Sequence, residues 1–346
     1  MKKTAVILFN LGGPEKLSDV RPFLFNLFSD KAIIPLPNPL RWCLAKIIST
    51  FRNKKTKSIY KQMGGGSPLL RLTQDQAKAL ESKLGKGFKT FVSMRYWSPL
   101  SSEVTRKVKE YAPDEVLFIP LYPQFSTTTT ESSFKDFYGA MQKRKIGAKV
   151  KALCCFFENE RFLRSHRDQI IKEIKKTKSA KKVILFSAHG LPLSVIEKGD
   201  PYQYQVEKTV EKIMDHASLK NIRKVICYQS KVGPKKWLEP STEEEIKKAG
   251  ERGDAVIVVP IAFVSEHSET LVELDIEYRD FATNYGVKEY YRVPALGTNE
   301  NFIDSLKEMC LKLSKEEAKK KYKVFSSEEK RLCLKKFCRC INSDDR

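Results

Sequence analysis

The sequence predicts an α/β fold in two halves, each built on a mostly parallel β-sheet with helices on both faces. Three observations indicate this fold: short β-branched apolar segments recur along the chain, helical segments separate them, and Gly or Pro follows most of them. The chain has 346 residues, which is enough for two domains of ordinary size, each with its own hydrophobic core.

Four strands are predicted in the first half, at residues 4–10, 88–94, 116–122 and 150–155. Helices are predicted between and after them, at residues 18–28, 73–84 and 158–178. The crossover between the two halves falls near the last of these helices. Strands that alternate with helices at this spacing form parallel sheets.

Four more strands are predicted in the second half, at residues 182–187, 225–228, 255–259 and 289–293. A helix follows the strand at 255–259 after a short polar turn. This helix carries three Glu residues on one face and an apolar stripe on the opposite face. The Glu residues are Glu269, Glu273 and Glu277, and the stripe is Leu271, Leu274 and Tyr278. The tail beyond Phe302 is predicted to be helical and charged.

The formal net charge of +22 favours anionic partners such as nucleic acid, anionic lipid or an acidic small molecule. The lysines are spread over many predicted helices and no nucleic-acid-binding motif is present, so we expect no nucleic-acid partner. No apolar run reaches the length of a membrane span, and the N-terminal apolar segment is too short for a signal peptide. Eight cysteines without a secretion signal predict reduced thiols or a metal site in a cytoplasmic protein.

Residues 32–48 differ in kind from the rest of the first half. Three prolines interrupt the beginning of this segment, and apolar residues that include Trp42 and Ile47 then mix with Arg41 and Lys46. Apolar residues bordered by basic ones, with a tryptophan, are typical of a helix that lies in a membrane interface. A helix packed against its own domain would show the same pattern, and the residues alone leave both alternatives open.

The chain has four histidines. His166 and His216 lie within Lys- and Glu-rich helical segments and are predicted to be solvated. His189 closes a buried strand, and His267 precedes the Glu row after another strand. Ligands bind open α/β sheets at the carboxyl ends of strands, where an imidazole facing a carboxylate can accept protons and hold a divalent metal. The alternative is a strand-capping histidine beside a solvated row of glutamates.

Several blocks of the sequence resemble the ferrochelatase family. In the second half they are Phe186-Ser-Ala-His189-Gly-Leu-Pro, Gly199-Asp200-Pro201-Tyr202, Gln229-Ser-Lys-Val-Gly-Pro and the segment 260–278. In the first half they are Asn10-Leu-Gly-Gly-Pro, Gly64-Gly-Gly-Ser-Pro and Arg95-Tyr96. The resemblance implies an enzyme that inserts ferrous iron into protoporphyrin IX, the last step of protohaem synthesis.

The resemblance also implies a domain organisation. Two similar Rossmann-like, chelatase-type domains, each with a mostly parallel four-stranded sheet, would occupy residues 1–160 and 161–310, with the porphyrin cleft between them. A membrane-facing lip would lie at about residues 28–50, around the mouth of that cleft. A helical, basic tail that contains cysteines would follow at residues 311–346.

By the family's pattern, His189 takes protons from the pyrrole nitrogens, Glu269 lies across the macrocycle from it, and the two hold the Fe²⁺. His267, Glu273 and Glu277 would continue an acidic path for protons or metal. Seven positions match the family's porphyrin-binding residues, namely Leu11, Tyr60, Ser67, Arg95, Tyr96, Trp237 and Phe263. A flat apolar ring with two propionates needs such apolar and aromatic walls together with a few basic or hydroxyl donors.

Three cysteines in the tail, Cys333, Cys338 and Cys340, lie among basic residues. The resemblance to animal and some bacterial ferrochelatases implies that they hold a [2Fe-2S] cluster with a fourth ligand from the body of the chain. Cys154 and Cys155 stand where some bacterial members take that ligand, and we choose Cys155. The alternative is a reduced thiol tail, or one that binds adventitious zinc.

The partners implied are protoporphyrin IX, ferrous iron as substrate and, through the lip, an anionic membrane surface. The protein would then be cytoplasmic and peripherally associated with the inner membrane, and a homodimer stays open. The alternatives are a coproporphyrin ferrochelatase, a chelatase for another divalent metal, and a porphyrin or haem carrier without chemistry. His189 and Glu269 argue against the carrier, which needs no proton acceptor.

Overall fold

The structure is a computed structural model that describes residues 2–216, 219–317, 320–327 and 331–342. The α/β fold is confirmed, because these residues form two parallel sheets with helices packed on them. The strands are Thr4–Asn10 (β1), Phe88–Met94 (β2), Glu115–Pro120 (β3), Lys149–Leu153 (β4), Lys182–His189 (β5), Arg223–Gln229 (β6), Ala255–Pro260 (β7), Tyr290–Arg292 (β8) and Tyr322–Phe325 (β9).

The helices are Val20–Phe28 (α1), Asn38–Gln62 (α2), Leu69–Leu84 (α3), Ser101–Tyr111 (α4), Thr130–Lys143 (α5), Glu160–Ile174 (α6), Leu193–Glu197 (α7), Tyr202–Met214 (α8), Thr242–Arg252 (α9), Tyr278–Asn284 (α10) and Glu300–Lys315 (α11). A 3₁₀ turn covers Leu17–Asp19 and a π-helix covers Glu269–Glu277. α11 packs on α3 and α6 and contacts β3 and β4, so the last long helix of the described chain ties the second half to the first.

The first sheet has five parallel strands in the order β2-β1-β3-β4-β9. The predicted bounds of β1 and β2 are confirmed. The prediction of four strands and a helical tail is wrong at β9, because α11 ends at Lys315 and the chain then returns to the sheet. Two aromatic residues and a valine over residues 322–325 favour a strand, and the open edge of β4 supplies its hydrogen-bonding partner.

The second sheet has four parallel strands in the order β6-β5-β7-β8, as predicted. β5 and β7 are the two central strands, and all six residues of β7 are buried. Apolar residues from both sheets, such as Leu8 and Phe186, belong to one continuous hydrophobic core. The two halves are therefore joined by packing as well as by the chain.

The predicted lip forms the loop before α2 and the first half of that helix. Pro39 lies in the first turn of α2, where its missing N–H costs no hydrogen bond. α2 packs against α1 and leaves four large apolar side chains exposed: Leu40, Trp42, Ile47 and Phe51. In the described part of the chain, no helix combines the length and the apolar composition needed to span a membrane.

His166 corrects the prediction that it is solvated. It is 1% exposed, and its ring packs edge-on against Phe162 with centroids 4.9 Å apart. His166 lies on the buried apolar face of α6. The prediction was wrong because charged residues surround this position in the sequence and made the whole segment look exposed. Burial lowers the pKa of His166 to about 3. His216, by contrast, is exposed as predicted.

Candidate active site

The site lies where the two central strands of the second sheet end. His189 is the last residue of β5. After β7 the chain forms a loop over residues 261–268, and the Ile261 N–H at its start donates to the Ser187 carbonyl of β5 at 3.1 Å. Glu269 then begins the π-helix. The fold thus brings together two residues that are 80 positions apart in sequence, at the edge where open α/β sheets bind ligands.

His189 and Glu269 form a hydrogen-bonded pair. Nδ1 of the imidazole lies 3.0 Å from Oε2 of the carboxylate, and the side chains are 39% and 24% exposed. Desolvation lowers the pKa of His189, but the charge and hydrogen bond of Glu269, with the charge of Glu273, outweigh it and raise the pKa overall. Burial of Glu269 acts to raise its pKa, but His189 and His267 outweigh burial and lower it. The pair therefore favours a protonated imidazole beside an ionised carboxylate.

This contact corrects the prediction that Glu269 lies across the macrocycle from His189. A flat ring between two groups needs a van der Waals separation of about 3.5 Å on each of its faces. The two atoms of the pair are 3.0 Å apart, which leaves no room for a ring. While this contact is made, no ring can lie between the imidazole and the carboxylate.

The spacing of the pair suits one divalent cation. Two ligands at right angles, each about 2.1 Å from a metal, are about 3 Å from each other, and Nδ1 and Oε2 have this separation. Imidazole and carboxylate are both ordinary ligands of divalent iron. A cation and the shared proton thus compete for the same two atoms. Within the described ranges, no group of three or more His, Cys, Asp or Glu side chains is arranged to hold a metal ion.

The helix that carries Glu269 is a π-helix, whereas the sequence predicted an α-helix. In a π-helix the hydrogen bonds span five residues, so each turn contains a little over four residues. In an α-helix, residues four apart are offset by about 40° around the helix axis. The row of Glu residues therefore stays aligned. The buried row is Thr270, Leu274 and Tyr278, so the predicted apolar stripe is wrong at Leu271, which is only partly buried.

Glu273 is held by donors from two elements. Ser230, just after β6, donates its N–H to Oε1 at 2.9 Å and its O–H to Oε2 at 2.6 Å, and the Tyr278 hydroxyl donates to Oε1 at 3.2 Å. Burial raises the pKa of Glu273 to about 7, with the charge of Glu269 adding to the rise and the Ser230 hydrogen bond opposing it. Glu277, the next of the row, is exposed. The row therefore runs from Glu269, which is paired with His189, through Glu273, whose pKa is near neutrality, to Glu277 at the solvent.

His267 supports the start of the π-helix. Its Nδ1 accepts the backbone N–H of Glu269 at 3.1 Å, and its ring packs edge-on against Phe263 with centroids 4.6 Å apart. Burial lowers the pKa of His267, although the charges of Glu269 and Glu266 oppose the shift. A neutral His267 thus fixes the backbone of Glu269 and braces the ring of Phe263.

Three of the predicted porphyrin residues lie together on the first-half side of the site, and they are Leu11, Tyr60 and Ser67. Tyr60 packs in one cluster with Leu11. Burial raises the pKa of Tyr60 to about 12, with its hydrogen bond to Ser268 opposing the rise and the charge of Glu269 adding to it. A β-carbon on Gly13 would lie 2.7 Å from Ser67 Oγ and 3.8 Å from the Tyr60 hydroxyl. The end of α2 therefore reaches across to the π-helix of the other half.

Arg95 and Tyr96, also predicted to bind porphyrin, both bind Asp30. Arg95 Nη2 donates to Asp30 Oδ2 at 2.9 Å, and the Tyr96 hydroxyl donates to the same oxygen at 2.8 Å. Ser132 binds that oxygen as well and accepts from Arg95 Nε at 2.8 Å. Tyr96 is 1% exposed and the Arg95 side chain 19%. Of the two, only Arg95 keeps some surface for a ligand.

Trp237 lies beside the end of β5. A β-carbon on Gly190 would lie 3.3 Å from its ring, and the residues that line a cavity of about 60 Å³ include Gly190, Gln229 and Trp237. The indole N–H is buried and has no hydrogen-bond partner among the residues that the structure describes. Trp237 and Phe263 thus both belong to the second half, Trp237 beside Gly190 and Phe263 beside His267.

Two residues that hold the site were missed by the sequence analysis. Ser230 stands within a quoted block, but its two bonds to Glu273 depend on a backbone φ of 64°, in the left-handed region where a non-glycine residue is uncommon. That conformation is not visible in a sequence. Asp30 binds partners that are 65 to 102 positions away, and no local pattern marks it.

Three of the four predicted cluster ligands lie near one another. Cys155 and Cys340 are each 1% exposed and Cys333 is 6% exposed. The Gln205 amide donates to Cys333 Sγ at 3.0 Å and to Cys155 Sγ at 3.7 Å, and Cys333 is hydrogen-bonded to Cys340. Cys154 Sγ lies 3.1 Å from Cys155 Sγ.

The fourth predicted ligand, Cys338, does not join them. It is exposed, and its thiol donates to the Lys198 carbonyl at 3.5 Å. A β-carbon on Gly199 would lie 2.6 Å from Cys338 Sγ, which places this thiol against the loop before α8. The four donors named from the sequence therefore do not converge on one cluster site in this structure.

The family model for ferrochelatase matches residues 3–313. A ferrochelatase of Pelagibacter ubique is 49% identical over 315 residues, with 90% of this chain and 91% of the relative covered. One of Rickettsia bellii is 49% identical over 345 residues, with 98% and 95% covered, and one of Wolbachia sp. subsp. Drosophila simulans is 50% identical over 318 residues, with 90% and 99% covered. Among solved structures, SirB from Bacillus subtilis with Fe³⁺ has a TM-score of 0.54 at 10% identity and covers 91% of this chain and 96% of its own, a likeness of fold. By the extent and identity of these matches, the chain belongs to the ferrochelatase family.

Proposed function

We propose that the chain inserts ferrous iron into protoporphyrin IX and forms protohaem, with the release of two protons. The observation that carries the proposal is the pair of His189 and Glu269, with 3.0 Å between Nδ1 and Oε2, at the carboxyl ends of two central strands. Iron enters the ring only after the pyrrole N–H protons leave, so the reaction needs a proton acceptor and cation ligands at one place. Membership of the ferrochelatase family supports the same activity.

In this proposal His189 accepts the pyrrole protons and Glu269 stabilises the imidazolium that forms. The same two side chains hold the incoming Fe²⁺, which takes the place of the proton between them. Glu273, whose pKa is raised to about 7, can take a proton onward, and the exposed Glu277 can pass it to solvent. His267 keeps the backbone of Glu269 in place.

The porphyrin would bind with one face toward the pair. Leu11, Tyr60 and Ser67 would contact it from the first half, and Trp237 and Phe263 from the second. Arg95, although paired with Asp30, keeps enough exposed surface to meet a propionate. Tyr96 would support Arg95 from beneath, because the Arg95 guanidinium lies 5.0 Å from the centre of its ring.

The test is anaerobic incubation of the protein with ferrous iron and either protoporphyrin IX or coproporphyrin, followed by haem absorbance. Faster conversion of protoporphyrin IX supports the proposal. Faster conversion of coproporphyrin would assign the chain to the alternative substrate, and porphyrin binding without haem from either would make it a carrier.

The His189→Ala variant tests the proton acceptor. We expect it to abolish iron insertion while porphyrin still binds, because the walls of the site are unchanged and only the imidazole is lost. His216→Ala is the matched control, since His216 is exposed and lies outside the site. Normal turnover by His189→Ala would remove His189 from the mechanism.

We also propose that the exposed face of α2 contacts an anionic membrane. Leu40, Ile47 and Phe51 are 61%, 53% and 82% exposed and lie on one stripe of the helix. Lys46 lies 5.0 Å from the centre of the Trp42 ring, and further lysines follow along α2. An apolar stripe bordered by cations suits the interface of an anionic bilayer. Porphyrin and haem are poorly soluble in water, so contact at this face would ease their transfer.

A [2Fe-2S] cluster on the tail is a separate proposal, supported by the burial of Cys155, Cys333 and Cys340 near one another. It requires either Cys338 or Cys154 to complete the ligands. Protein purified anaerobically should then show visible absorbance together with bound iron and sulfide. Loss of the absorbance in Cys338→Ser but not in Cys154→Ser would support the ligands chosen from the sequence, and a colourless, iron-free preparation counts against the cluster.

A further inference from the structure

A buried amide on α3 joins the two halves of the molecule beside the site. Gln76 is 0% exposed, and its side chain binds three groups of the second half. Nε2 donates to the carbonyl of Val264 at 3.0 Å and to the carbonyl of Gly297 at 2.9 Å. Oε1 accepts the hydroxyl of Ser265 at 3.0 Å. Both N–H donors and the acceptor of this amide are therefore paired with groups about 190 to 220 positions away in the chain.

The segment that Gln76 holds is the loop that supplies one side of the site. Val264 and Ser265 lie in the loop 261–268 between β7 and the π-helix. Phe263 precedes them and His267 follows them. The Val264 carbonyl also accepts the N–H of Gly297 at 2.9 Å, so the amide completes a small buried network. Because a displaced loop would leave buried polar groups unpaired, the network favours one position of the loop.

The same helix holds the other side of the site. Thr73, one turn before Gln76, accepts the amide of Asn10 at 3.0 Å. Asn10 in turn accepts the backbone N–H of Leu11 at 2.8 Å. One buried polar edge of α3 therefore fixes Leu11 on the first-half side and the loop 261–268 on the second-half side.

We propose that Gln76 is a positioning residue for the porphyrin, because its three hydrogen bonds set the distance between the side of the site that carries Leu11 and the side that carries Phe263. Its bonds go to the loop and to the turn at Gly297, and not to the pair of His189 and Glu269. Loss of the amide is therefore expected to loosen the fit of the ring more than it slows proton transfer or iron capture. This use of Gln76 rests on the proposed function, although the contacts themselves do not.

The kinetic test compares Gln76→Met with Gln74→Met. Methionine has a similar length and no hydrogen-bonding amide, and Gln74 is an exposed glutamine two positions away on the same helix. For Gln76→Met we expect the KM for porphyrin to rise about tenfold, the loss expected when buried hydrogen bonds are removed, with kcat changed less than about threefold and the KM for iron unchanged. A role in stability alone would lower the active fraction, and so lower kcat at an unchanged porphyrin KM. That result, or kinetics equal to those of Gln74→Met, would overturn the proposal.

A second variant covers the case in which Gln76→Met does not fold. Ser265→Ala removes only the hydroxyl that Oε1 accepts and leaves both bonds of Nε2. We expect a smaller rise of the same porphyrin KM. An unchanged porphyrin KM in Ser265→Ala counts against the proposal.

Amide hydrogen exchange tests the same claim without substrate. The N–H of Gly297 is bonded to the Val264 carbonyl, so its exchange, with that of the loop 261–268, reports on the network. We expect faster exchange there in Gln76→Met than in Gln74→Met, and equal exchange would contradict the proposal. This measurement stands even if the unaltered chain inserts no iron: the proposed function then fails, and the exchange still decides whether Gln76 holds the loop 261–268.

Discussion

The imidazole of His189 can accept a proton or bind iron only in its neutral form, because both need a free lone pair on the ring. Glu269 raises the pKa of this histidine, so iron insertion should increase with pH through a pKa above the ordinary histidine value. In Glu269→Gln the charge is gone and desolvation dominates, so the pKa falls and the rise in rate moves to lower pH. The measurement is kcat/KM for iron insertion across the neutral pH range.

His216→Ala is the control for that profile, since His216 is exposed and lies outside the site. Its profile should coincide with that of the unaltered chain. A rise in Glu269→Gln that stays at the original pH would mean that the carboxylate does not govern the protonation of His189.

The buried His166 should make the protein sensitive to acid independently of the active site. Burial lowers its pKa to about 3, below the value in the unfolded chain, so the unfolded state binds more protons between these two pKa values. Stability is therefore lost as the pH falls from the unfolded pKa toward the folded one, by up to about 1.4 kcal/mol per pH unit. His166→Leu should flatten the pH dependence of the urea midpoint in this range. His216→Leu, which changes an exposed histidine, should leave the slope unaltered, and equal slopes in both variants would rule out His166 as the cause.

At the scale of elements, a buried ion pair fastens α11 to the first sheet. Lys151 of β4 lies 2.9 Å from Glu115 of β3, and the two side chains are 5% and 4% exposed. Lys151 Nζ also donates to the Ser314 carbonyl at 2.8 Å, and the Ser314 hydroxyl donates to Glu115 at 2.7 Å. The last turn of α11 is thus part of the same network.

Removing one partner of this pair should be strongly destabilising. Lys151→Met leaves the buried Glu115 with the half-exposed Lys2, 2.7 Å away, as its remaining cation partner, at a cost of up to about 3–5 kcal/mol. The double variant Glu115→Gln/Lys151→Met should recover part of that loss, because no buried charge remains at the pair. Arg106→Met breaks an exposed ion pair with Glu110 and should cost less than about 1 kcal/mol. Urea unfolding measures all three, and a loss in Lys151→Met as small as that in Arg106→Met would contradict a structural role for the pair.

Elements that depend on local composition could be predicted from the sequence, and those that depend on distant partners could not. β1 is a continuous apolar run over residues 5–9, and β2 is rich in aromatic and β-branched residues; the predicted bounds of both were correct. The π-helix was missed because a spacing of four residues suits both helix types, and only the hydrogen-bond register separates them. β9 was missed because its partner β4 lies about 170 positions earlier. In the site, the sequence motifs indicated His189 and Glu269 as functional residues. Their direct contact could not be predicted, because it depends on how the fold places two residues that are 80 positions apart.

At the scale of the whole molecule, α2 connects the site with the proposed membrane face. Tyr60 near its end lies beside the π-helix, whereas Phe51, nine residues earlier on the same helix, is 82% exposed. Nine residues of α-helix span about 14 Å. A bilayer that contacts Phe51 would therefore lie about that distance along α2 from the site, so a poorly soluble ring would cross little water.

Liposome flotation tests this arrangement. The protein should float with vesicles that contain anionic lipid and not with neutral ones, and binding should weaken as salt rises, because surface charge contributes to it. Leu40→Ser and Phe51→Ser should each reduce binding about tenfold or more, since a buried side chain of this size contributes about 1.5–3 kcal/mol. Leu334→Ser replaces a leucine that is 50% exposed in the tail, outside α2, and should bind like the unaltered chain. Absence of binding at low salt would argue against any membrane contact. An equal loss in Leu334→Ser would place the contact elsewhere than on α2, because only insertion of this helix distinguishes Leu40 and Phe51 from other exposed apolar residues.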